Sequence, residues 1–156
     1  NGERAPFYSP DARAGFFGIS PHTTRAELQR AVFEGLAFAI VDALQGYPQG
    51  GELYLTGGGA ASATWLQIIA DCPGRTVVSS AFNELSARGA AILAARSVAA
   101  LAETPPLAQT RYQPRPQAHA RYAALYPVYR LLREQMLPVW QARQAALQPL
   151  SQDLQP

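Results

Sequence analysis

The chain has 156 residues, nearly half of them apolar and few charged, enough to bury a real core and with no uninterrupted apolar run long enough to cross a bilayer. All thirteen basic residues are arginine, which excludes a lysine-bearing phosphate loop and Schiff-base chemistry, and the net charge of +2 is spread along the chain, without the basic stripe of a nucleic-acid binder. The one cysteine, Cys72, rules out an intrachain disulfide and a multi-cysteine metal site, and neither His22 nor His119 stands in a ligand motif, so no metal ligand is assigned.

Residues 1–22 are rich in Gly, Pro and aromatics and read as irregular, with one short extended piece at "GFFGIS". The opening lacks the layout of a signal peptide, and with Asn1 in first place the expectation is a processed or excised chain from the cytoplasm. Thr24 with Glu27 forms a capping-box signature, and Leu28, Ala31, Val32, Gly35, Leu36, Ala39, Ile40 and Ala43 recur at helical spacing, predicting a helix over about 24–45. "GYPQGG" breaks it, and "ELYLT" is a compact β-prone run.

That strand ends in three glycines. Beyond them Ser62 is placed to cap a helix carried by Trp65, Leu66, Ile68, Ile69 and Cys72 as far as Pro73 and Gly74, where Cys72 reads as a packing residue. "RTVVSS" is the next strand, and Asn83 is positioned to cap a third helix whose Gly89, Ala90 and Ala91 offer a shallow surface to a neighbouring sheet. Pro105, Pro106, Pro114 and Pro116 mark the following segment as a surface connection. In the last helix Tyr122, Leu125, Tyr126, Tyr129, Leu132, Met136 and Trp140 share a face suited to core packing, while Pro127 and Pro138 are expected to kink or interrupt it. The element order indicates an α/β layer architecture, with residues 1–147 as one domain and 148–156 as a frayed tail.

A strand that ends in glycines and feeds a helix exposes backbone N–H groups at the positive helix end with no Cβ to hold an anion away, so phosphate is a natural guest. The pattern by itself leaves a merely tight turn equally open, because GGGA is neither GxGxxG nor a Walker loop. The missing GxGxxG also puts a Rossmann-type nucleotide domain last among the readings.

Three stretches in sequence, "GERAPFYSPDARAGFFGI", "TTRAELQRAVFEGLAFAI" and "LYLTGGGAASATWLQIIAD", resemble the C-terminal part of the FGGY carbohydrate kinases, xylulokinase-like members among them. A family signature is matched from Ala14 through Phe16, Gly18, Ile19, Glu27, Leu28, Ala31, Val32 and Phe33 to Glu34. "NELSARGAAILAA" and "YQPRPQAHARYAALYPVYRLL" extend the likeness to about Leu137.

The resemblance implies part of an actin-like, ribonuclease H-like ATPase domain with a mixed sheet flanked by helices. It implies a kinase that uses ATP and Mg2+ to phosphorylate a sugar or sugar acid, with the sugar-binding domain and the catalytic aspartate upstream and absent here. No catalytic residue is therefore assigned, and the isolated chain is expected to be inactive.

Carried onto this sequence, Gly57, Gly58, Gly59 and Ala60 match the turn that approaches nucleotide phosphates, and Ser62 a polar position beside the base. Helix capping accounts for Ser62 equally well. Glu34 is read as an ion-pair partner of Arg30, and Glu3 and Arg4 as structural turn residues. Three departures stand out: Ala61 where many relatives carry a basic residue, Ala14 where glycine is frequent, and Arg88 where an apolar residue is usual. They keep a non-catalytic binding or assembly module as the alternative. The expected partner is a small-molecule sugar, with no nucleic acid and no membrane, and a homodimer is left open.

Overall fold

The computed structural model describes residues 2–48, 50–80, 84–98 and 106–152, with the helical backbone alone for 148–152. The chain divides into two compact units, Asn1–Pro48 with Ala120–Pro156, and Gln49–His119.

The first unit is built on α1 (Arg25–Leu44) and most of α4 (Pro116–Gln152). The expected capping box is present: the Thr24 hydroxyl accepts from the Glu27 amide while the Glu27 carboxylate accepts from the Thr24 amide at 2.7 Å, satisfying two orphan donors. The helix is where the periodicity places it, but its buried face is not. Ala37 and Phe38 are buried, whereas Val32 and Leu36 of the expected stripe are 50% and 53% exposed. Apolar residues run almost all the way round α1, so spacing alone does not select a side.

Phe38 packs against Tyr122, Tyr126 and Tyr129 of α4, with centroids 5.9, 6.0 and 5.1 Å away. This is the core role expected of the tyrosine face, although Leu125 points outward. Two polar clusters flank that packing. Arg30 Nε donates to Glu34 at 2.7 Å and Arg30 Nη2 to the Tyr122 hydroxyl at 2.8 Å, which in turn donates to Glu34 at 2.8 Å. Asp42 accepts from both Tyr126 and Arg133. Phe7 stacks on Trp140, and the Arg133 guanidinium lies 5.3 Å over the Phe7 ring.

The α4 helix runs unbroken through Pro127 and Pro138, against the expectation of an interruption. Each proline leaves the carbonyl four residues back, at Ala123 and Glu134, without its amide partner. All four residues are exposed, so water takes the place of the lost bonds. "GFFGIS" forms no strand; among the described residues the only pairing in the N-terminal segment is the isolated bridge between Glu3 and Ser9. Glu3 accepts from the Arg4 amide at 2.9 Å, the local turn contact expected for this pair.

The second unit holds a mixed sheet in the order β1 (Leu53–Leu55), β2 (Val77–Ser80), β3 (Gln109–Tyr112), with β1 parallel and β3 antiparallel to β2. Helix α2 (Ala63–Asp71) makes the crossover between β1 and β2. Leu66, Ile68, Ile69, Ala70 and Cys72 are buried with Val77 and Val78 to form the core, as the apolar run predicts. Each large side chain buried there contributes about 1.5–3 kcal/mol.

Strand β3 corrects the reading of 103–117 as a bare connection. Thr110 and Tyr112 are β-prone, and Pro106 and Pro114 fall outside the paired residues, so the ladder loses no donor. The third helix, α3, spans Leu85–Val98; its expected cap, Asn83, lies outside the described residues. Among the described residues the close approach expected at Gly89 is not present, since none of them lies within 4 Å of where its Cβ would stand and α3 has no buried residue. A helix whose apolar content is mostly alanine gains little from burial.

Candidate functional site

At the end of β1 the chain reaches Gly57 with φ 89° and ψ −173°, a conformation only glycine adopts without strain. Gly58–Ala61 then make one 3-10 turn, Ser62 is extended, and α2 begins. The Ser62 hydroxyl accepts from the Trp65 amide at 3.3 Å, so helix capping is realised in the structure.

The turn spends few of its own amides. Ala60 donates to the Gly57 carbonyl at 2.9 Å and Ser62 to the Gly59 carbonyl at 3.5 Å. Among the described residues, none accepts from the amides of Gly58 and Gly59, the first two of the 3-10 turn. A Cβ built on Gly57 or Gly58 meets nothing within 4 Å. One built on Gly59 touches the Trp65 indole, at 3.5 Å from Nε1. The turn therefore has an open side at Gly57 and Gly58 and a closed side at Gly59, and among the described residues no side chain lies against its open side.

Its charge balance is set by the backbone. No Asp, Glu, Lys, Arg or His occurs from Leu53 to Leu66, and Glu52, just before β1, is engaged by Arg111 at 3.1 Å and by the Tyr54 hydroxyl at 3.0 Å. The Arg111 bond, then the Tyr54 bond, hold the Glu52 carboxyl below its ordinary value. The turn thus presents amide dipoles without a side-chain cation, which suits an anion.

Behind the turn, α2 is fastened at its far end by Asp71, which has no solvent exposure and was not singled out by motif reasoning. Its Oδ1 accepts from Gln67 Nε2 at 2.9 Å and from the Arg115 amide at 2.8 Å, while Oδ2 accepts from Arg115 Nε at 3.0 Å and from Nη2. Burial acts to raise the Asp71 pKa, but the hydrogen bonds from the Arg115 side chain and backbone and from Gln67 outweigh it, leaving the carboxyl below its ordinary value. His119 Nδ1 lies 3.0 Å from the Asp71 carbonyl oxygen, a structural role close to the helix end. The signal available in sequence was a carboxylate closing an otherwise apolar helix, followed by the helix-ending Pro73 and Gly74.

Gly57, Gly58, Gly59, Ala60 and Ser62 thus form one continuous turn. Glu34 belongs to the Arg30 and Tyr122 cluster of the other unit. A shallow groove along α4, lined by Tyr126, Pro127, Arg130, Leu131 and Glu134, lies on a single helix of that same unit. Among the described residues no three of His, Cys, Asp and Glu gather in a way that could hold a metal ion.

The profile of the FGGY family of carbohydrate kinases, C-terminal domain, matches residues 1–98. The chain belongs to this family. Among its relatives are an erythritol kinase of Brucella abortus (strain 2308), 36% identical over 89% of this chain and 28% of that protein, and a xylulose kinase of Escherichia coli (strain K12), 33% identical over 89% of this chain and 31% of that protein. The solved structure of a ligand-bound xylulose kinase from Lactobacillus acidophilus superimposes with a TM-score of 0.80 at 24% identity, over 90% of this chain and 31% of that one. The mixed sheet with flanking helices is accordingly part of the actin-like ATPase fold of FGGY kinases. This FGGY chain spans about three tenths of the length of the relatives it matches.

Proposed function

We propose that residues 1–147 are the nucleotide-binding, C-terminal portion of a carbohydrate kinase that transfers the γ-phosphate of ATP to a hydroxyl of a sugar or sugar acid. The observation that carries this reading is the open side of the Gly57–Ala61 turn: among the described residues the amides of Gly58 and Gly59 have no acceptor, and a Cβ at Gly57 or Gly58 would meet nothing within 4 Å, in a chain of this family.

On this reading the amides of Gly58 and Gly59 receive phosphate oxygens and the rigid α2 behind them fixes their direction. Two such bonds to a charged group contribute roughly 3–6 kcal/mol, and the remainder of a micromolar affinity, about 8 kcal/mol in all, comes from enclosing the base and ribose. Ser62 keeps its capping bond and presents its hydroxyl at the edge of the seat.

The turn orients a phosphoryl group but carries no base to take a proton from an attacking hydroxyl. That group, and the sugar contacts, come on this reading from polypeptide beyond these 156 residues, so the chain alone should not catalyse transfer. Mg2+ accompanies ATP in such kinases, but the described residues offer no ligand cluster for it, and no step here is routed through the ion.

Calorimetric titration of ADP into the full polypeptide that carries these residues, as parent and as Gly58→Val, tests the reading. Added bulk at Gly58 meets no protein atom in this structure at its Cβ, so lost ADP binding with an intact fold reports a filled ligand seat. Equal affinity in both would refute it. The absence of a cation at Ala61 favours a second reading, a binding or assembly module of the same fold that makes no productive ATP contact, and a parent that shows no heat with ADP would select it.

A further inference from the structure

We infer that Trp65 is a positioning residue for this seat: its indole holds the Gly57–Ala61 turn in the open form that a polyphosphate requires. The inference rests on the nucleotide reading above.

Three successive glycines are the least restrained backbone a protein can build, and the turn's own restraint is slight. Of its two flanking backbone bonds, one is 2.9 Å and the other, from Ser62 to Gly59, is stretched to 3.5 Å. Around the three glycine Cα atoms, the side chain that closes a Cβ position is Trp65, with Nε1 at 3.5 Å and Cδ1 at 3.7 Å on the Gly59 side.

Trp65 itself is well anchored. Its amide is held by the Ser62 hydroxyl at 3.3 Å, and the residues that follow it on α2, Leu66, Ile68, Ile69 and Ala70, are all buried in the core. The indole thus transmits the rigidity of α2 to the one segment that lacks side chains of its own. It does so from the Gly59 side and leaves Gly57 and Gly58 open to a ligand.

Without that wall the turn samples further conformers, and apparent affinity falls by the fraction that remains competent. The test is calorimetric binding of ADP to the full polypeptide as parent, Trp65→Ala, Trp65→Phe and Gly58→Val. Trp65→Ala should bind ADP about tenfold more weakly, corresponding to an open form reduced to about a tenth of the population. Trp65→Phe, which restores an aromatic wall, should return to within about threefold of the parent.

Parent affinity in Trp65→Ala beside lost binding in Gly58→Val overturns the role of Trp65 and leaves the seat standing; parent affinity in both overturns the two together. A second measurement reads the parent itself. In the full polypeptide labelled with fluorotryptophan, the 19F resonance that Trp65→Phe removes is that of Trp65, and in the parent it should shift as ADP saturates the seat. An unchanged Trp65 resonance at ADP concentrations where heat is evolved overturns the inference.

Discussion

Asp71→Asn probes the fastening of the helix that carries the candidate seat. In the parent, four donors converge on a carboxylate with no solvent exposure: Gln67 Nε2, the Arg115 amide, and Arg115 Nε and Nη2. A carboxamide oxygen can replace Oδ1, but the NH2 group then faces the guanidinium, donor against donor. The Arg115 side chain is 58% exposed and can turn into water, which removes the larger penalty of stranding a buried charge. What remains is a buried amide group without an acceptor, about 1–3 kcal/mol, and the weakening of a charge-assisted bond to a neutral one, about 1 kcal/mol. Together they give roughly 2–4 kcal/mol, or a melting point lowered by roughly 5–15 °C for a chain of this size.

Urea unfolding of parent and Asp71→Asn, followed by far-UV circular dichroism, measures it. A loss below about 0.5 kcal/mol would refute the fastening role, since surface substitutions routinely cost that much. The pH dependence provides a separate check. The folded pKa of Asp71 is depressed, so its contribution is present above the unfolded value near ~3.9 and is lost as pH falls through the folded value. Parent and variant should therefore converge in stability under acid and differ fully at neutral pH.

Tyr122→Phe should cost about 1 kcal/mol, because Arg30 and Glu34 keep each other when the bridging hydroxyl is removed; a double-mutant cycle with Glu34→Gln measures the coupling. Burial first, and the Glu34 hydrogen bond second, push the Tyr122 pKa up to about 12. Its stabilising contribution is thus complete below the unfolded value near ~10, is lost as pH rises through the folded one, and should be absent from Tyr122→Phe in alkaline melts. Gly74→Ala meets two penalties, a left-handed φ of 68° and a Cβ 2.7 Å from His119 Cε1. A loss above about 2 kcal/mol is expected, with His119→Ala recovering the steric part and leaving the conformational part; no recovery in the double variant would contradict the contact.

The sequence makes local features legible where a single physical cause dominates. Thr24 with Glu27, Ser62 at the head of an apolar run, and Gly57 at the end of a β-prone run each signal a cap or a turn, and each stands where expected. Features that depend on competition between partners are less legible. The buried face of α1 is decided by the tyrosines of α4, far along the chain, and not by the period of α1 itself. Strand β3 is hidden among prolines that turn out to flank the ladder, and the continuity of α4 rests on the exposure of Pro127 and Pro138.

The seat shows the same division. Its glycines can be read directly, but its asymmetry cannot, because whether a Cβ at Gly58 or at Gly59 meets protein depends on how the Trp65 rotamer lies over the turn. Asp71 and Arg115 are paired across 44 residues, beyond the reach of any local pattern.

The central claim is that bare main-chain amides at Gly58 and Gly59 seat the anionic end of an adenine nucleotide. Amide chemical shifts of the full polypeptide labelled with 15N-glycine, followed during titration with ADP, test it most directly. The Gly58 and Gly59 resonances should move downfield and saturate with the calorimetric dissociation constant. Saturating ADP that leaves these two resonances in place while others shift would contradict the account.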